Sequence, residues 1–131
     1  MKAKELMVND WVLYGKKKHQ CRNICGHNNN VLLDNGVFTN VYLLKPFPLT
    51  KVHLTKNGFE ATNESDTEFV YGDGGFEVRV EFDEGMPIAN IEPCIFLRIE
   101  FADKELAMPI KYLHELQQAM RLFGIDKEIK L

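Results

Sequence analysis

Apolar and polar positions alternate with a period of two along much of this chain and change to a helical period only near its end. Over Phe76–Phe82, the residues Phe76, Val78, Val80 and Phe82 share one face while Glu77, Arg79 and Glu81 share the other, which predicts a strand with one face in a core. Ile95, Leu97, Ile99 and Phe101 repeat that pattern against Phe96, Arg98 and Glu100. Pro93 starts this second strand at about Cys94, after a loop at Asp83-Glu84-Gly85-Met86-Pro87. A brief strand, Leu106 to Met108, then leads into a helix from Pro109 to Phe123. On that helix Leu113, Leu116, Met120 and Phe123 fall on one side, and Tyr112 and Ala119 widen the stripe to an arc of roughly 120°. Lys111, His114, Glu115, Gln118 and Arg121 fall opposite. Pro109 suits a first helical turn and Gly124 a left-handed close. The helix is therefore expected to lie over the apolar face of the strands, and the tail IDKEIKL to add a last edge strand.

The earlier chain reads as shorter strands. Leu6, Val8, Trp11 and Val12 flank the turn pair Asn9-Asp10, so a first strand opens at Trp11 with the Trp in the core. Gly15 followed by Lys16, Lys17 and Lys18 reads as an exposed hairpin end. Asn35-Gly36, between the apolar runs Val31–Leu33 and Val37–Leu44, predicts a type I′ hairpin turn. About four strands in the first 45 residues suit an SH3-like small β-barrel lobe or a tightly curled sheet. Lys45-Pro46-Phe47-Pro48 is extended, and Thr50 caps a short helix with Leu49, Val52 and Leu54 as its apolar contacts, ended by Asn57-Gly58. ATNESDTE reads as a polar loop, and Phe69–Tyr71 with Phe76–Phe82 flank a hairpin at Gly72-Asp73-Gly74-Gly75. The expected fold is α+β: an N-terminal SH3-like strand lobe (1–49), then a linking helix, an antiparallel meander and the C-terminal helix packed on it (50–131).

Composition narrows this picture. A chain of 131 residues with 45% hydrophobic residues can bury one ordinary core. No apolar run is long enough to span a bilayer and MKAKELMVNDW lacks a signal-peptide core, so a cytoplasmic location is expected. Three cysteines, Cys21, Cys25 and Cys94, fit reduced thiols better than a disulfide framework. The net charge of −3 divides sharply: residues 1–58 carry nine Lys and Arg against three acids, and residues 59–131 seven against sixteen. A basic first lobe attracts an anionic partner such as nucleic acid; opposite charges on two lobes also simply neutralise each other or keep the chain soluble.

Candidate chemistry is sparse. His19, Cys21, Cys25 and His27 give H-x-C-x3-C-x-H, a donor set suited to zinc. On a straight strand these odd-numbered residues share a face, yet His19 and His27 stand about 26 Å apart, too far to meet one ion without a sharp turn at Gly26 or Asn23. Glu77, Glu81, Asp83 and Glu84 resemble a cation or acid–base cluster, but alternation places Glu77 and Glu81 on a solvated face. The Gly72–Gly75 loop lacks the Lys-Ser/Thr of a phosphate-binding loop. Cys25 with His27, or Cys94 with His114, lack any nucleophile signature, and His114 belongs to the polar side of its helix. No cofactor is expected and no catalytic residue is assigned.

Three blocks, LMVNDWV, KPFPLTKVHLTKNGF and IKYLHELQQAMRLFGIDKEI, resemble those of a family of small uncharacterised proteins encoded in genomes, prophages and mobile elements of gut anaerobes. The family's middle block, "PIPLTEEWLLKFGF", is matched by Pro46, Pro48, Leu49, Thr50, Leu54, Lys56, Gly58 and Phe59. Its final block, "YVHQLQNLYFALTGEEL", is matched by Tyr112, His114, Leu116, Gln117 and Gly124. The middle Trp is missing here and the acidic segment between blocks is longer. The resemblance implies a two-lobed strand-and-helix domain in a phage-like context and no activity. The expected role is a non-enzymatic accessory or adaptor module that binds another protein, with Lys16, Lys17, Lys18, Arg22, His114, Gln117 and Arg121 as exposed candidate contacts. The alternative is nucleic-acid binding by the basic first lobe.

Overall fold

The computed structural model describes residues 5–72, 74–83 and 94–131. Two antiparallel sheets and a C-terminal helix make it α+β. The chain divides into two compact units, Met1–Pro48 with Tyr112–Gln118 and Leu49–Lys111 with Ala119–Leu131. No helix among the described residues is long and apolar enough to cross a membrane.

The first unit holds β1 (Trp11–Tyr14), β2 (Lys17–Cys25), β3 (Asn30–Leu33), β4 (Phe38–Asn40) and β5 (Lys45–Pro46), in the order β4-β3-β2-β1-β5. Trp11 opens β1 as expected, but it is only half-buried. The type I′ turn lies elsewhere than expected. Gly15 and Lys16, at φ 57° and 69°, reverse the chain between β1 and β2 in two residues. At Asn35-Gly36 only Gly36 has positive φ (84°); its N–H donates to the Leu33 carbonyl at 3.0 Å and the Leu33 N–H to Val37 at 2.9 Å. That is a three-residue loop with glycine in the bulge position. The run Val37–Leu44 also divides. After β4, the Asn40 side chain accepts the Tyr42 N–H at 2.9 Å and starts a 3-10 turn over Val41–Leu43.

Leu6, Val12, Cys21, Val31, Leu33, Val41 and Leu44 form this unit's core, with Tyr14 and Ile24 against it. A bulge between Cys21 and Asn23 shifts the alternation of β2, so Ile24 rather than Cys25 packs inward. Residues 112–118 complete the unit. The Leu113 N–H donates to the Phe47 carbonyl at 2.9 Å, and Pro48 bridges to Tyr112. Gln118 Nε2 donates to Asp10 Oδ2 at 2.7 Å and to the Glu5 carbonyl at 2.8 Å, and the buried Asp10 carboxylate also accepts the Met7 N–H at 2.8 Å.

In the second unit α1 (Lys51–Lys56) follows Thr50, whose N–H donates to His53 Nδ1 at 3.3 Å. Leu49 and Leu54 are buried, while Val52, expected as an apolar contact, is exposed. A meander follows: β6 (Glu60–Ala61), β7 (Glu68–Gly72), β8 (Phe76–Asp83), β9 (Cys94–Phe101) and β10 (Lys104–Ile110), in the order β10-β9-β8-β7-β6. Val78, Val80, Phe82, Ile95, Leu97 and Ile99 are buried as the alternation predicts, though Phe101 at the end of its strand stays open to solvent and stacks on Phe76. A side chain at Gly72 would meet the Phe76 carbonyl at 2.9 Å, so this hairpin needs glycine there. The expected loop beyond Asp83, with Glu84 and Pro93, and Asp73 of the glycine-rich turn lie outside the described residues.

Two further expectations are corrected. Pro109 belongs to β10, which pairs with β9 as far as Ile110 opposite Ile95, so α2 begins at Leu113 and ends at Leu122. The ladder takes Pro109 because it sits on the sheet's edge strand, where a missing N–H leaves no gap in pairing. The tail forms no strand among the described residues. Ile125 and Ile129 are buried there, and the Lys130 N–H donates to Asn57 Oδ1 at 2.7 Å while Asn57 Nδ2 donates back to the Lys130 carbonyl at 2.8 Å.

Candidate functional site

Strand pairing in the first unit sets Lys45 beside Leu13 and Leu13 beside Lys18. Residues directly opposite in adjacent strands project from one face, so Lys45–Leu13–Lys18 is a row running across β5, β1 and β2 with an apolar residue at its centre. Val12, the neighbour of Leu13, points into the core, and alternation puts Trp11 on the same face as Leu13. Two depressions share Leu13 and Lys16 in their linings. One, about 370 Å³, is lined by Leu13, Gly15, Lys16, Leu43 and Lys45. The other, about 540 Å³, is lined by Leu13, Lys16, Lys17, Lys18, His19 and Phe47. Neither lining contains an acid.

Lys16, Lys17 and Lys18 are exposed, as the sequence predicts. Arg22, the residue inside the bulge, is exposed too, but its guanidinium donates to Asn9 Oδ1 at 2.9 Å and to Gln20 Oε1 at 3.4 Å. Arg121 is held by Glu128 at 3.2 Å, with 18% of its side chain accessible. His114 and Gln117 are corrected: they are 6% and 1% accessible, so they are not surface contacts. His114 stacks nearly parallel on Tyr112 at 5.8 Å. A 3.6-residue period gives the direction of each side chain but not how many sides of the helix are covered, and α2 is covered on more than its apolar arc.

The zinc set does not assemble. Cys21 is enclosed, and burial, with the charges of Asp10 and Asp34, pushes its thiol up to about 12. Metal binding requires thiolate, which this site disfavours. Cys25 and His27 are exposed, and the bulge puts Cys21 and Cys25 on different faces, against the shared face expected of a straight strand. His19 Nδ1 instead meets Asp34 Oδ1 at 2.8 Å, while Asp34 Oδ2 accepts the Gln20 N–H at 3.1 Å. Burial pushes the Asp34 carboxyl up, but these bonds with the His19 and Arg22 charges outweigh it and hold the group below its ordinary value. Among the described residues no three His, Cys, Asp or Glu side chains gather as a metal site would need. On the second sheet Glu77 pairs with Arg79 at 2.7 Å.

Sequence reasoning found the three lysines but missed Lys45, Leu13, Leu43 and Phe47. About thirty residues separate Leu13 from Lys45, and only the return of β5 beside β1 brings them together. The Pro46 signal for an extended segment was the one local hint. Comparison with protein-family profiles, curated proteins and solved structures finds no match, so the geometry of this face carries the reading.

Proposed function

We propose that the chain is a non-enzymatic interaction module, a small accessory or adaptor protein that docks another protein through the basic face of its first unit. The row Lys45–Leu13–Lys18, with two depressions both lined by the Leu13 at its centre, is the observation that carries this reading. The finer description as an SH3-like curled sheet draws support from the strand order, in which β5 returns beside β1 after a 3-10 turn. The resemblance of three sequence blocks to proteins of mobile elements is in keeping with an accessory role.

A second reading, nucleic-acid binding, gains from Trp11. Its partial accessibility near the lysine row is what an aromatic platform would need. Affinity capture from the native host after nuclease treatment tests the first reading, comparing the natural chain with a variant carrying Glu at positions 16, 17 and 18. A protein retained only by the natural chain is the expected result. Equal recovery by both chains removes the basic face from the reading, and loss of all captured protein on nuclease treatment moves it to nucleic acid.

A further inference from the structure

We infer that the occupant of this face is an extended, acidic segment of a partner protein in which one apolar side chain lies between two carboxylates, in the pattern acid-x-apolar-x-acid. The inference deepens the interaction-module reading and rests on it.

The dimensions of the face motivate the pattern. Neighbouring strands lie about 4.8 Å apart, so Lys45 and Lys18, on either side of Leu13, are separated by about 10 Å at the backbone. In an extended segment every second side chain faces the surface, and two carboxylates four residues apart stand about 13 Å from each other. Flexible lysine stems absorb that difference. The side chain midway between the carboxylates then arrives over Leu13, which lines both depressions. Their apolar linings, Leu13, Leu43 and Phe47, offer it a place to leave water, and Leu43 is 63% exposed with nothing polar on its own side chain to satisfy. Lysine stems lying along such a floor extend it while their ammonium groups remain at the rim.

Charge and surface chemistry together favour a peptide over a nucleic acid. Four cations, Lys16, Lys17, Lys18 and Lys45, line the depressions and complement an anionic occupant. Bases bind by stacking on flat π-faces, whereas two of the three apolar lining residues are leucines.

The full chain is titrated with a fluorescent peptide containing two copies of Glu-Ser-Phe-Ser-Glu, with the same peptide carrying Ser for Phe, and with oligothymidine. Sedimentation of the protein alone at low salt is measured in parallel. The expected result is salt-sensitive binding of the Phe peptide, weakened about tenfold or more by Phe→Ser in the peptide and by Lys18→Glu or Lys45→Glu in the protein. Leu43→Ser, which leaves the charge unchanged, is expected to weaken the Phe peptide and not its Ser counterpart. All three positions are exposed, and an unaltered thermal transition checks that each variant is folded. Equal binding of both peptides overturns the apolar element. Tighter binding of oligothymidine assigns the face to nucleic acid, and low-salt self-association abolished by Lys18→Glu assigns it to a second copy of this chain. Failure of every probe, while nuclease-resistant capture still depends on the lysines, overturns this inference and leaves the module reading standing.

Discussion

With its thiol pushed up to about 12, Cys21 carries thiolate in only about one molecule in ten thousand at pH 8, while Cys25 on the same strand is open to solvent. Alkylation at that pH is therefore expected to modify Cys25 first and Cys21 only once the chain is denatured. Trypsin cleaves between them at Arg22, so peptide mapping reads the two sites separately. Early labelling of Cys21 would contradict its enclosure. A second residue-scale prediction concerns Ala102, the first of two residues joining β9 to β10, at φ 56°. An L side chain pays for this conformation, which glycine takes freely. Ala102→Gly is expected to stabilise the protein by about 0.5–1 kcal/mol, after allowing for the added freedom of the unfolded chain, and chemical denaturation would show it. The positive φ of Ala102 is not legible in the sequence, because alanine gives no sign of it.

Among the elements, α2 is where the hydrophobic pattern was most informative and also where it misled. Leu113, Leu116, Ala119 and Met120 are buried as the helical period requires. The start was displaced by four residues because β10 competes for Pro109 and Ile110, and hydrogen bonding to β9 is a long-range term that no local window contains. The polar side was misjudged at His114, which is enclosed despite its chemistry, and Gln117, expected as an exposed contact, is enclosed as well. A direct check of the buried arc compares two leucines on the helix: Leu116, wholly buried, and Leu122, 79% exposed. Leu116→Ala is expected to cost about 2–5 kcal/mol, and Leu122→Ser to stay within about 0.5 kcal/mol of the natural chain. Similar costs at both positions would mean that the arc is wrongly placed. Strand β2 teaches the same lesson at smaller scale. One extra residue at Arg22 inverts the face of everything after it, and the candidate metal set dissolves with that inversion.

At the scale of the whole molecule, the sequence suggested a first lobe ending at residue 49, since the proline-rich segment looks like a boundary. The first unit instead includes Tyr112–Gln118, more than sixty residues further along. What those residues contribute is specific: buried Leu113 and Leu116, the Leu113 N–H on the Phe47 carbonyl, and the Gln118 amide on the Asp10 carboxylate. Without Gln118, a carboxylate with no exposed surface loses a donor, and an under-satisfied buried charge costs about 1–3 kcal/mol or more. A fragment of residues 1–49 would lose the two leucines as well, and so small a sheet has little stability to spare. The fragment is therefore expected to lack a cooperative thermal transition and a dispersed amide spectrum, although it contains all five strands of its sheet. Within the full chain, Gln118→Ala isolates the polar contribution and should lower stability by about 1–3 kcal/mol without abolishing the fold. A fragment 1–49 that folds cooperatively would show that the sheet and its core suffice, and that residues 112–118 only cover a body already formed.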